Sequence, residues 1–276
     1  MEKARVLYVS QEITPFLPET AISHVSRYLP QGIHDKGKEI RVFTPRFGKI
    51  NERRHQLHEV IRLSGMNMII NDSDHPLIIK VASIPTARMQ VYFIDNEEYF
   101  HRKTVFTDEK GKFHEDNDER AIFFVRGVLE TVKKLGWAPD IIHCHGWMTA
   151  LMPMYVRKMY NEDPHFADTK LVYSTFDQEM QTLDKGMIDK VVLDGVDKAD
   201  VAALETPDLL GMNKIAIQYS DAVVQGSPEI DKETADYISS LNKPFLAHSD
   251  NDTIVNQVDQ FYDEVLLGKS VLVEEE

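Results

Sequence analysis

Residues 137–157 read WAPDIIHCHGWMTALMPMYVR. Pro139-Asp140 opens this stretch, and Ile141, Ile142, His143, Cys144 and His145 form a short apolar strand. Gly146 breaks the strand, and Trp147 to Lys158 resumes with helical spacing. A strand that stops at a glycine and turns straight into a helix is the βα corner of an open α/β sheet. Ligands of such sheets bind outside the carboxyl ends of the strands, beside helix N-termini. His145 stands at that carboxyl end, so a pocket is expected there first.

Upstream, Ala4 to Ser10 (ARVLYVS) is a continuous run of β-formers, the pattern of a strand buried on both faces. Gln11 to Pro18 is a turn region. Ile22, Val25, Leu29 and Ile33 then recur at helical spacing before Gly37, and Ile40 to Thr44 makes a second strand. This β–α–β order begins a doubly wound fold. Residues 56–95 are strand-like near 58–63, 66–70, 77–82 and 89–94, which predicts an antiparallel excursion attached to a parallel sheet. Residues 95–113 form a long polar and aromatic loop. Asp116 or Asn117 then caps a helix whose inward stripe is Ile122, Val125, Val128, Leu129 and Val132, closed by Gly136.

Downstream, Leu171 to Thr175 is the next strand, and 184–196 a short helix plus turn. Thr206-Pro207 starts another helix, with Pro favoured at its first position. Ala222 to Gln225 is a strand, a helix follows over 229–241, then a short strand over 244–247 and a closing helix over 254–266. The expected organisation is one domain over 1–276: a Rossmann-like, doubly wound, mainly parallel sheet with six to seven parallel strands. Residues 56–95 are its excursion and 270–276 an acidic tail.

Composition narrows the function. The mean hydropathy is −0.33, and no run approaches 18 apolar residues, so no membrane-spanning helix is expected. The N-terminus lacks a secretory h-region and Cys144 is the single cysteine, both fitting a reducing cytoplasm. A net charge of −14 argues against nucleic acid as a partner. The one basic cluster, Arg46, Lys49, Arg53 and Arg54, is either a solvated loop or a site for an anion. His55 and His58 offer two metal ligands with no third at fitting spacing, so neither metal nor cofactor is expected. Cys144 points to the strand face opposite His143 and His145, the placement of a core cysteine.

Six segments, in order, resemble the N-terminal half of the glycogen and starch synthases, retaining glucosyltransferases of the GT-B fold that use a nucleotide-sugar donor. They are VLYVSQEITPF (6–16), LPQGIHDKGKEIRVFTPRFG (29–48), VYFIDNEEYFHR (91–102), DNDERAIFF (116–124), PDIIHCHGWMTAL (139–151) and SDAVVQGSPE (220–229). By this resemblance His145 matches the family histidine against the donor sugar and is the expected catalytic residue. Asp116, Asn117 and Arg120 fall near the acceptor side of the cleft. Trp147 is a sugar platform or a helix-packing residue, and Asp177 and Glu12 join the expected substrate-binding set.

The departures from the family are as informative. Its donor cradle, Lys-x-Gly-Gly-Leu, appears here as Pro18-Glu19-Thr20-Ala21-Ile22. Pro18 removes a backbone donor, Glu19 repels a pyrophosphate, and Thr20 and Ala21 put side chains where bare backbone is needed. The acidic residue after the histidine is Gly146, and the next strand's histidine is Phe176. A second GT-B domain would need roughly 100 to 200 residues, more than follow Glu229, so that half is expected to be absent. Three functions follow. The chain, expected to be inactive alone, is a glucan synthase component completed by a second chain; a non-catalytic glucan-binding or regulatory partner of a full-length synthase; or a different small-ligand site using His143, His145, Asp177 and Glu12, with a partner chain or a homo-oligomer as the expected assembly. α-Glucan or a nucleotide sugar is the expected ligand.

Overall fold

The computed structural model describes residues 3–193 and 195–268. In chain order the elements are β1 (Arg5–Ser10), α1 (Ala21–Asp35), β2 (Glu39–Pro45), α2 (Glu52–His55), β3 (His58–Glu59), β4 (Met66–Ile70), β5 (Ser73–Ile84), β6 (Met89–Asp95), α3 (Glu97–Phe100) and α4 (Asn117–Leu135). They continue with β7 (Ile141–His145), α5 (Met152–Lys158), β8 (Lys170–Thr175), α6 (Met187–Val191), α7 (Leu209–Tyr219), β9 (Ala222–Gln225), α8 (Lys232–Ser240), β10 (Phe245–Leu246) and α9 (Asn251–Leu266).

The sheet runs β10-β9-β8-β7-β1-β2-β6-β5-β3, with β4 paired to β5 off this path. From β10 to β6 every pairing is parallel; β5 then pairs antiparallel with β6, β3 and β4. Strand β1 is central because Val6, Leu7, Tyr8 and Val9 are all fully buried, apolar on both faces. From β1 the chain winds outward through β2 and β6, then returns to β1's other side with β7. The switch point therefore lies between β1 and β7, where Ser10 and His145 are register partners.

Two helical layers cover the sheet. Tyr8, His143 and His145 face α1 and α9, through Ser26 and Tyr262. Tyr173, in register with Cys144, faces the other layer and donates to Asn213 of α7 at 3.1 Å. Helix α9 lies against α1, where Gly32 leaves room for Val255; a Cβ at Gly32 would come within 2.5 Å of it. Lys38 ties the same helix down through Asp259 and Asp263, at 2.6 and 2.9 Å.

Several elements differ from the sequence expectation, two of them because a local cap overrides the apolar stripe. The helix expected from Thr206-Pro207 begins at Leu209, since the Asp208 side chain accepts from the Gly211 amide at 2.9 Å. That expected from Glu229 begins at Lys232, capped by Asp231 on the Thr234 amide. Trp147–Lys158 divides into a 3₁₀ turn (Trp147–Thr149) and α5. Met89–Asp95, expected within the antiparallel excursion, lies parallel to β2 on one side and antiparallel to β5 on the other. The acidic tail, 270–276, lies outside the described residues. Among the described residues no helix is long and apolar enough to cross a membrane.

Candidate functional site

His145 ends β7 at the switch point and is fully buried. Its Nδ1 is 2.9 Å from Ser26 Oγ, which is 2.7 Å from Ser10 Oγ. Its Nε2 has no hydrogen-bond partner among the described residues. The Phe176 ring meets the imidazole edge-on at 5.9 Å. Burial without a charge partner pushes the pKa of His145 down to about 3, so its ring is neutral at neutral pH. One turn of the pleat earlier, His143 has both nitrogens engaged: Nδ1 with Tyr262 Oη at 2.5 Å and Nε2 with Ser174 Oγ at 2.7 Å. Tyr262 donates onward to Tyr8 at 3.0 Å. Desolvation, then the neighbouring His145, holds His143 far below the usual histidine range.

Side chains fill the space in front of His145. Gly146 has φ +87°, and a Cβ there would come within 2.3 Å of Gln11 Oε1. The acidic residue of the family pattern therefore has no room while Gln11 is in place. Gln11 Oε1 accepts from the Met148 amide at 3.4 Å, and its Nε2 donates to Gln178 at 3.2 Å. Phe176, standing for the family's second histidine, closes the other side. It packs so tightly on Gly226 that a Cβ there would lie 2.5 Å from the ring.

The opening turn has become a self-satisfied helix cap. Thr20 Oγ1 accepts from the Ser23 amide at 3.0 Å and Ser23 Oγ accepts from the Thr20 amide at 2.8 Å, a capping box at the start of α1. These side chains take two of the donors that an anion would use at a bare helix start. Carboxylates crowd the same place. Glu12 accepts from Thr20 Oγ1 at 2.6 Å, and exposed Glu19 pairs with His24 Nδ1 at 2.9 Å. Burial raises the pKa of Glu12, partly offset by the Thr20 hydrogen bond. Pro18 and Ala21 are exposed and add no donor or charge.

The expected acceptor-side residues form one cluster at the head of α4. Asp116 takes the N-cap position but makes no capping bond; its carboxylate grips Arg102 bidentately instead. Desolvation works to raise the Asp116 pKa, but Arg102 outweighs it and the net shift is downward. Asn117 donates to the Phe106 carbonyl at 2.8 Å and accepts from Arg120 at 2.5 Å. Arg120 is 0% exposed and lies over the rings of Phe47 and Phe100, at 5.4 and 5.5 Å. Its Nε and Nη2 have no partner among the described residues, and burial lowers its pKa to about 9, against the pull of Asp116. Trp147 is 1% exposed, with its ring against those of Phe106 and Phe113 at 5.2 and 6.0 Å. Asp177 is exposed, and its backbone amide donates to the Ser227 hydroxyl oxygen at 3.0 Å.

Beside this cluster two grooves of about 610 and 430 Å³ share Phe113 and Gln181. The larger is bordered by Lys49, Lys103, Phe106 and Met180. Gln181 holds the loop in shape, accepting from the Phe113 amide at 3.1 Å and donating to the Gly111 carbonyl at 2.8 Å. Sequence reading assigned these residues to a loop only. The available signal was a pair of aromatics around Gly111 in an otherwise polar run. Of the basic cluster, Arg46 is paired with Glu52, while Lys49 reaches the groove. His55 packs on Phe16 at 4.9 Å, and no group able to hold a metal ion occurs among the described residues.

Residues 5–242 match the family model for the starch synthase catalytic domain. The chain is 41% identical to a glycogen synthase of Chlorobium limicola over 169 residues, 61% of this chain and 35% of that one. It is 33% identical to a glycogen synthase of Chlorobaculum parvum over 237 residues, 84% of this chain and 47% of that one. Among solved structures, the catalytic domain of starch synthase IV from Arabidopsis thaliana, bound to ADP and acarbose, matches with a TM-score of 0.74. The identity there is 19%, over 92% of this chain and 53% of that one, a likeness of fold. The chain thus spans about half or less of the length of the curated relatives it matches.

Proposed function

This chain belongs to the starch synthase catalytic-domain family, and from that premise we propose that it is a glucan-binding, non-transferring member that serves α-1,4-glucan metabolism in the cytoplasm. The observation that carries this reading is the occupied crevice at the switch point. Gln11 and Phe176 fill the space before His145, and the capping box with Glu12 and Glu19 replaces an anion cradle. Stabilising the charge on a leaving phosphate is a large part of glycosyl-transfer catalysis, and these residues oppose it. The groove at Phe106 and Phe113 stays open and pairs aromatic faces with amide and lysine donors, which suits a glucan.

Calorimetric titration tests the reading. Maltoheptaose binds and ADP-glucose does not; micromolar binding of ADP-glucose overturns it. A second reading, a glucosyltransferase completed by another chain, is favoured by the unpartnered Nε2 of His145 behind Phe176. It requires glucosyl transfer from ADP-glucose or UDP-glucose that disappears in His145→Ala.

A further inference from the structure

Between the buried side chains of Phe176 and Leu183 the chain passes from the His145 crevice to the Phe113 groove in one short segment. Phe176 is wedged against Gly226 and His145, and the Leu183 amide donates to the Pro207 carbonyl at 2.9 Å. Residues 177–182 belong to no helix or strand, and they make no backbone–backbone hydrogen bond among the described residues. They are fastened by side chains instead, through Ser227 to the Asp177 amide and through Gln178 and Gln181. A segment held in this way opens at a lower free energy than the sheet it crosses.

The two fastenings are unequal. At the groove end Gln181 uses both halves of its amide group, Oε1 with the Phe113 amide at 3.1 Å and Nε2 with the Gly111 carbonyl at 2.8 Å. At the crevice end Gln178 Oε1 accepts from Gln11 Nε2 at 3.2 Å, while Gln178 Nε2 is shut off from solvent with no partner among the described residues. A buried donor left unmatched is costly, so Gln178 gains by turning outward and is kept in place by the satisfied end. Gln11 is the side chain that fills the room at Gly146 and accepts from the Met148 amide at 3.4 Å. Gln178 and Gln181 are three residues apart, a reach of about 11 Å at full extension, so a displacement at one fastening passes to the other with little slack. Glu179, Met180 and Gln181 also line the larger groove.

We infer that residues 177–182 are a strap that couples the groove to the crevice: a molecule seated against Met180 and Gln181 loosens the groove fastening, Gln178 leaves Gln11, and Gln11 is freed in front of His145. The inference rests on the preceding reading only in taking the groove as a ligand site, and the strap and its fastenings stand apart from it.

The test follows hydrogen exchange at the Met148 backbone amide in the full chain, because that amide depends on Gln11 and lines neither groove. Gln181→Ala unfastens the groove end without any ligand and should speed the exchange at least threefold, with exchange at Tyr173 in β8 unchanged to mark the effect as local. Gln181→Glu, which keeps the acceptor and loses the donor, should speed it less. Thr182→Ala, on the same strap, should leave it as it is. In Gln178→Ala the link is already cut, so exchange is fast and adding Gln181→Ala changes nothing further. Maltoheptaose should speed Met148 exchange in the natural chain and not in Gln178→Ala. An unmoved Met148 in Gln181→Ala, an equal change in Thr182→Ala, or a Gln181→Ala effect that survives in Gln178→Ala overturns the inference. Maltoheptaose binding that leaves Met148 unmoved overturns it too, while the proposed function stands. A response to Gln181→Ala with no maltoheptaose binding keeps the strap and removes the glucan reading of the groove.

Discussion

The crevice between β1 and β7 and the groove under residues 103–113 both follow carboxyl ends of parallel strands in one sheet. Yet the first is packed shut and the second is open. In the crevice, side chains engage one another: Thr20 caps α1, Gln11 reaches Met148 and Phe176 meets His145 edge-on. In the groove, the Asp116, Asn117 and Arg120 cluster keeps its ion pair and hydrogen bonds and holds the aromatic loop above it. A fold can thus pack one strand-end crevice closed while a groove beside it stays open, because different side chains line the two.

The comparison can be broken at its tightest point first. Phe176→Ala removes a nearly fully buried ring and should cost about 3–5 kcal/mol in urea denaturation. It should also open His145 to water, raising its pKa from about 3 towards the ordinary histidine value, as read by NMR titration. A small loss of stability, or an unmoved pKa, would mean that Phe176 does not seal the crevice.

Acid should act next. His143 and His145 are both held neutral by burial, so the unfolded chain binds protons that the folded chain refuses. Stability is therefore present above about pH 6.5 and is lost as the pH falls below it, at up to about 1.4 kcal/mol per unit per histidine. Between pH 7.5 and 5.5 the two should remove about 2–3 kcal/mol. Partly exposed His55 and His114, whose pKa values burial also lowers, add to this weakly. A flat stability profile across that window would contradict the buried pair.

In the groove, Phe113→Ala should weaken maltoheptaose about tenfold, equivalent to ~1.4 kcal/mol, with little change in melting. Unchanged affinity would remove the groove from the comparison. An effect of similar size is expected from Tyr262→Phe, which takes one hydrogen-bonding hydroxyl from between His143 and Tyr8 at a cost of about 1–2 kcal/mol by chemical denaturation. No loss at all would show that α9 is held by Lys38 and apolar packing alone.

The fold was legible wherever an element carries its own signal. Apolar β1 and β7, the stripe of α4 with Gly136 behind it, and the βα corner at Gly146 each state their structure within a few residues. Boundaries governed by single caps, such as Asp208 and Asp231, were displaced, because a helical stripe extends past the residue that starts the hydrogen bonding. Of the candidate site, the chemistry of the opening turn at Pro18–Ala21, with no lysine and no glycine, was legible in the residues themselves. The grooves at Phe113 were not, because they join residues far apart in the chain.

The sequence by itself therefore determined a doubly wound α/β domain of the starch synthase family and the side chains that stand at its opening turn, Pro18 to Ala21. Both depend on local patterning and on which side chains stand at a turn. Only the tertiary structure decided that Gln11 fills the room left by Gly146, that Phe176 shields a neutral His145, and that Trp147 packs inward. These outcomes follow from contacts among the segments after β1, β7, β8 and β9 and with the Phe106–Phe113 loop, whose distances no one-dimensional pattern contains.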